Sequence, residues 1–225
     1  RINRFAATLG STFIIDRATF AALTFTGVLE LGDASKPYRH VPMFSPEVAE
    51  LVAPGLVVDA VNFFREEERP LEQLPLSRKR LGVALLIAHR FSGSTLRVSE
   101  RGYIDSWGTK ATTTDALFLV DITDDIRLWP HVRFHAQTAA DFYRLAYVVQ
   151  TDAAGARVLP SVFTGDRELG PLLGLWLGGG VRFALNESLA MSVAGDFIYT
   201  RFLDHLFVAE RLAGFGLTAF EGTFE

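Results

Sequence analysis

Along this chain, apolar and polar residues trade places every second position in runs of about ten, the spacing of strands that show one face to lipid and the other to a wet lumen. The sharpest run spans Leu128 to Asp141. Leu128, Pro130, Val132, Phe134, Ala136 and Thr138 share one side, and Trp129, His131, Arg133, His135, Gln137 and Asp141 share the other. From Thr95 to Asp105, Leu96, Val98 and Ile104 alternate with Arg97, Ser99, Arg101, Tyr103 and Asp105, while Glu100 interrupts the apolar side. Beyond Arg80, Leu81, Val83, Leu85 and Ile87 face away from Gly82, Ala84, Leu86 and Ala88. Small inner residues fit where another segment approaches a barrel wall closely.

Nine strands are predicted, at about 1–10, 18–31, 78–91, 95–107, 110–122, 127–142, 169–185, 189–202 and 211–224. At about 3.3 Å per residue these are long enough to cross a bilayer when tilted. Short connections lie near Ile14 to Arg17, Ser92 to Ser94, Thr123 to Ile126 and Asn186 to Ser188; long ones cover 32–77 and 143–168, with medium ones at 107–109 and 203–210. The expected fold class is an all-β, antiparallel, up-and-down transmembrane β-barrel. Outer-membrane barrels keep short turns in the periplasm, so strands one and nine both descend and the C-terminus is periplasmic. Single-chain bacterial barrels also have even strand numbers. Residues 1–225 therefore read as the C-terminal portion of one larger barrel, completed by an odd number of further strands from its N-terminal side or from another chain.

The connection at 32–77 is expected to be an extracellular cap loop. Ser45 before Pro46 and Glu47 marks a helix start, ended about two turns later by Pro54 and Gly55. An apolar run, Val57 to Phe64, follows it and leads into charged residues up to Arg69. Such a loop either folds over the barrel mouth or docks a partner.

Composition narrows the class. Apolar residues make up 49% of 225 residues with 19 Phe, and mean hydropathy is +0.22. That is rich for a soluble protein and poor for a helical membrane protein, a middle ground that a barrel occupies because one face of each strand meets lipid. The best candidate for a membrane helix, Leu172 to Leu185, is broken by glycines and Arg182, and a spanning helix needs about 20 apolar residues in succession. With no Cys, thiolate sites and disulfides are excluded. A net charge of −4 offers no basic footprint for nucleic acid.

Several motifs resemble a known family. The run Arg133, Phe134, His135, Ala136, Gln137, Thr138, Ala139, Ala140, Asp141, Phe142, Tyr143 is similar to the Gln-Ser/Thr-Ala-Ala-Asp-Phe-Tyr signature of a family of uncharacterised proteobacterial outer-membrane barrel proteins, known only as a domain of unknown function. Lys36, Pro37, Tyr38 and Arg39 resemble its Asn-Pro-Tyr-Arg run, and Tyr103, Asp105, Trp107 and Gly108 its Tyr/Phe-x-Asp-x-Trp-Gly run. Gly165, Asp166, Arg167, Glu168 and Leu169 are similar to its Asp-Lys-Glu-Leu run. The matches fall in order across about 36–170 and correspond to the C-terminal half of such proteins. The resemblance implies an outer-membrane location and no particular activity.

Candidate chemistry is sparse. His131 and His135 share the lumen side, yet residues four apart on a strand stand about 13 Å apart, too far for one metal ion. A charged or hydrogen-bonded lumen wall is the plainer expectation. Arg97, Arg101, Asp105, Asp115, His131, Arg133, His135, Gln137 and Asp141 are the predicted lumen-lining set, read as cross-strand pairs or as a selective constriction. Trp107, Phe142 and Tyr143 are placed in the aromatic girdle at the membrane interface. His89 with Ser92 or Ser94 is the closest His and Ser pair and lacks a third member. Gly178, Gly179 and Gly180 have no following Lys-Ser/Thr and mark a bend or close backbone approach. Phe224, one residue before Glu225, resembles the terminal aromatic signal of barrel assembly. The expected function is a structural or partner-binding component of a Gram-negative envelope assembly, not an enzyme and without cofactors. Its surroundings are outer-membrane lipid, with a protein partner at the 32–77 loop or the open N-terminal edge. A passive channel or transporter for small solutes is the alternative.

Overall fold

Each period-two run becomes a strand of one antiparallel sheet. The computed structural model describes residues 2–222, so Arg1 and the closing Phe224 and Glu225 lie outside the described residues. In chain order the long strands are β1 (Ile2–Ile14), β2 (Thr19–Gly32), β3 (Ser77–Arg90), β4 (Ser94–Asp105), β5 (Lys110–Asp121), β6 (Ile126–Leu128 and His131–Gln137), β7 (Leu172–Asn186), β8 (Leu189–Phe202) and β9 (Glu210–Gly222). Every neighbour in sequence is an antiparallel neighbour in space. The fold is thus an all-β, up-and-down, barrel-like sheet. β1 and β9 are its edges.

The two pieces of β6 keep one register: Leu128 faces Val181 and His131 faces Gly178 on β7. They are parted by Trp129 and Pro130, where proline has no N–H to give the ladder. The backbone N–H of Phe118 still donates to the Pro130 carbonyl at 3.1 Å.

Registers run almost without slip, with one irregularity between Ala184 and Asn186, so the two faces stay separate across the sheet. The outward face collects exposed apolar side chains: Leu9, Phe25, Leu85, Phe118, Phe134, Leu177 and Phe197. The inward face carries the strand arginines except Arg201, and most strand carboxylates. It turns apolar on the edge strand β9, where Phe215 and Leu217 are exposed.

All connections at one end are short, at 15–18, 91–93, 122–125 and 187–188; at the other, 33–76, 138–171 and 203–209 are longer, and only the turn 106–109 is as short. The longer segments pack together into a cap, and most of the fully buried apolar side chains sit there rather than along the sheet. Val41, Met43, Tyr147, Val149 and Phe163 form one cluster. Phe44, Val61 and Leu206 form a second. Residues 43–44 pair in parallel with 147–148, joining the first long segment to the third.

The cap departs from expectation in its helices. α1 (Pro46–Ala49) is a single turn, with Ser45 preceding it in extended conformation and making no side-chain cap bond. The apolar run beyond it is itself helical, α2 (Val58–Phe64). Val61 anchors α2 in the core, while Phe63 is 82% exposed.

Candidate functional site

Two constellations stand out, one under the cap and one along the inward wall. The first is built on Asp105, the last residue of β4. Its carboxylate is fully buried beside Arg78, whose Nε and Nη2 lie at 2.7 and 2.5 Å. It also accepts from the Tyr103 hydroxyl at 2.7 Å and from the backbone N–H groups of Trp107 and Thr109 at 2.9 and 3.1 Å. A buried carboxylate held this way has its desolvation offset by charge-assisted bonds. Arg78 in turn covers the Trp107 ring at 4.2 Å, and Trp107 Nε1 donates to the Ser77 carbonyl at 2.8 Å. Gly108 completes the turn at φ +85°, its Cα pressed against the Asp141 carboxylate so that no Cβ fits.

The Gln-Thr-Ala-Ala-Asp-Phe-Tyr run fastens to this turn. Asp141 N–H donates to the Trp107 carbonyl at 2.8 Å, and Ala140 N–H to the Leu169 carbonyl at 2.9 Å. Gln137 Nε2 donates to the Glu168 and Gly170 carbonyls. The Tyr143 hydroxyl donates to the Asp204 carbonyl at 2.5 Å, with His205 Nδ1 at 3.3 Å. Burial holds the Tyr143 hydroxyl above its ordinary range, as it does Tyr147, and it lowers His205, with Arg167 adding to that effect.

Beside this junction lies a buried ion pair that the sequence reading missed. Glu72 is fully buried; it meets Arg39 at 3.2 Å and accepts from the Thr164 hydroxyl and from Lys36 N–H. Arg39 also reaches Asp166 at 2.6 Å. Burial lowers the Arg39 pKa, but the bonds to Asp166 and Glu72 outweigh it and leave it raised. Arg39, Gly165 and Asp166 belong to two of the runs that carried the family resemblance, and the fold brings those runs together here.

Placement in this junction corrects the girdle assignment. Trp107 is 6% and Tyr143 4% exposed, in one cluster with Ala140 and Leu169, and Phe142 stacks edge-on against Trp107 at 5.5 Å. They pack beneath the cap rather than facing the membrane interface. Asp141 likewise lies past the end of β6, in the turn region.

Along the wall, the register places Arg97, Arg101, Asp115, His131, Arg133, His135 and Gln137 on the inward face. His131 lies between two carboxylates, Asp115 at 3.1 Å and Asp196 at 3.4 Å. Arg133 Nε is 3.2 Å from Asp115 without being aligned to donate to it. His135 bonds instead to Thr113 at 2.8 Å, so the two histidines serve separate partners. Arg133, His135, Gln137, Trp176 and Arg211 line a cleft of about 310 Å³. A second recess, of about 410 Å³, is lined by Arg4, Arg80, Arg101 and Tyr103 over a floor that includes Thr24, Gly82 and Ala84. Glu30 pairs with Arg80 at 2.6 Å and Arg4 at 3.5 Å. Among the described residues, no ion pair engages Arg97 or Arg101. Extending the alternation upstream of Arg80 and through Ser192, Ala194 and Asp196 would have found Arg78 and Asp196.

Elsewhere, His89 points outward and bonds to the Thr19 hydroxyl at 2.7 Å. The three glycines of β7 make room: the Trp129 ring lies over Gly180, Asp196 lies against Gly178, and the Trp129 carbonyl lies against Gly179.

Fold and wall together define a class, an antiparallel barrel-like sheet with a polar, arginine-rich inward face beneath a packed cap. The chain belongs to the family described as Protein of unknown function (DUF3570), whose model matches residues 3–202. Comparison with curated proteins finds no match. Among solved structures it is similar to OmpT (in-vitro folded), an outer membrane protein of Vibrio cholerae, at 8% identity and TM-score 0.42, over 95% of this chain and 63% of that one. The chain therefore spans less than two thirds of that protein's length.

Proposed function

We propose that this chain is part of an outer-membrane β-barrel of a Gram-negative envelope, acting as a structural or partner-binding component and not as an enzyme. The observation that carries the reading is the pair of open edges. Among the described residues, β1 and β9 leave their outer sides unpaired along 13 residues each, and in a nine-strand meander they run in the same direction. Parallel edges do not close by antiparallel pairing, so an odd number of further strands completes the wall. The exposed apolar band supports lipid contact, and the segregation of short and long connections supports a periplasmic turn side, an extracellular cap at 32–77 and a periplasmic C-terminus. Full-length protein in planar bilayers is expected to show no stable open level, and to purify with a stoichiometric partner that persists in detergent. A steady conductance from protein free of any partner would overturn the reading.

A second reading is favoured by one observation, the unpaired Arg97 and Arg101 on the inward face. Rings of fixed cations select anions. On this reading a conducting barrel prefers anions, and Arg97→Ser with Arg101→Ser moves its reversal potential toward that of a non-selective pore.

A further inference from the structure

The outward face of the sheet has one feature that lipid does not explain. Glu100 stands at the middle of β4 and points outward between Val98 and Gly102. The register row through it reads Ser11, Leu23, Leu85, Glu100, Thr114, Phe134, Leu175, Tyr199 and Leu212. Among the described residues, the other charged side chains on this face sit at strand ends nearest the cap, as Lys79, Lys110, Arg201 and Glu210 do. An ionisable group in the hydrocarbon layer is costly, and where one occurs it is paired or faces protein. Two threonines on β5 are turned toward Glu100: the Thr112 hydroxyl donates to Oε1, and the Thr114 hydroxyl to Oε2 at 2.5 Å. These bonds hold the carboxylate outward, and neither hydroxyl brings it a countercharge. The surrounding outward residues Gly102, Thr112, Thr114 and Ala116 are small, and nothing lies within 4 Å of where a Cβ on Gly102 would sit. Another backbone has room to come close there.

We infer that this patch docks a membrane-embedded segment of a different protein that presents a lysine ammonium to Glu100. The inference rests on the partner-binding reading and deepens it by naming a surface and a chemistry. Charge complementarity calls for a cation. Both carboxylate oxygens already accept a hydroxyl, which obstructs the bidentate fork of arginine and suits the point charge of lysine. A second copy does not supply it: related by an axis along the membrane normal, two copies would set Glu100 against Glu100, and no lysine lies in its register row.

Dicyclohexylcarbodiimide, an apolar reagent, tests this in outer-membrane fragments that hold the full-length protein. It converts the carboxylate to an O-acylisourea; attack by a neighbouring amine then forms an amide and releases the dialkylurea, with the amine losing its proton. The expected result is a covalent heterodimer whose mapped crosslink joins Glu100 to a lysine inside an apolar strand or helix of another protein. Glu100→Gln should lower its yield at least tenfold, with the variant retaining the heat-modifiable gel mobility of a folded barrel. Should that variant fail to fold, mapping of the wild-type crosslink decides alone. Recovery of Glu100 as the rearranged N-acylurea shows lipid at the patch, and a crosslink to a lysine of this same chain shows a second copy; either overturns the inference. A stoichiometric partner that co-purifies without this crosslink sinks the Glu100 assignment and leaves the partner-binding reading standing. Loss of any partner sinks both.

Discussion

Asp105 gathers Arg78, Tyr103 and two backbone N–H groups around one buried carboxylate. Its removal strands a guanidinium that is itself only 14% exposed. Breaking a buried pair from one side costs about 3–5 kcal/mol, so Asp105→Ala is expected to lower the free energy of unfolding, measured by urea titration in lipid vesicles, by an amount of that order. A drop no larger than that of an exposed control, such as Asp124→Ala, would show that the network is not a support. The residue types here were legible: Tyr103, Asp105, Trp107 and Gly108 stood out as a run. Their role was not. An aromatic just past a strand end looks the same in sequence whether it faces the membrane interface or is roofed by a loop, and the roof over Trp107 comes from Phe142 and Tyr143, more than thirty positions away.

At the scale of the element, strands with contrasting faces were the most legible part of the molecule. His131, Arg133 and His135 against Val132 and Phe134 leave one register possible, because a slip by one residue would put arginine in lipid. α2 was missed because Val57 and Val58, Val61, and Phe63 and Phe64 spread apolar side chains around the helix, so no single face announces its period. The glycines of β7 read correctly as points of close approach, and their neighbours give that a measurable form. A Cβ at Gly179 would come within 2.5 Å of the Trp129 carbonyl, on a backbone at φ +151°, whereas at Gly27 on β2 it would meet nothing within 4 Å. Gly179→Ala is therefore expected to destabilise the folded protein by more than about 1 kcal/mol, while Gly27→Ala stays within about 0.5 kcal/mol of wild type. Equal unfolding midpoints for the two variants would contradict the pairing of β6 with β7 at this point.

For the whole molecule, the cap is where acid should act first. His205 accepts the Gly55 N–H at its carbonyl and lies beside Tyr143, with its imidazole lowered below the usual 6.5 by burial and by Arg167. The unfolded segment takes up a proton at higher pH than the folded one. Cap stability is therefore full above about 6.5, declines as pH falls toward the folded value, and levels off below it. Asp204, raised by burial, works in the opposite sense in the lower, carboxylate range. Limited proteolysis within 33–76 should quicken between pH 7.5 and 5.5 in the wild type and lose that dependence in His205→Gln; unchanged dependence in the variant would assign the effect elsewhere. The cap's location also bears on the order of assembly. The wall is made of hairpins whose partners adjoin in sequence, but the Thr164 bond to Glu72 spans 92 residues and the Arg157 bonds to Glu66 and Glu68 span 91 and 89. Local hairpins close quickly, and distant pairings wait for the chain between them. The cap is thus the last region to lock, and its resistance to protease reports that every intervening strand has already found its place.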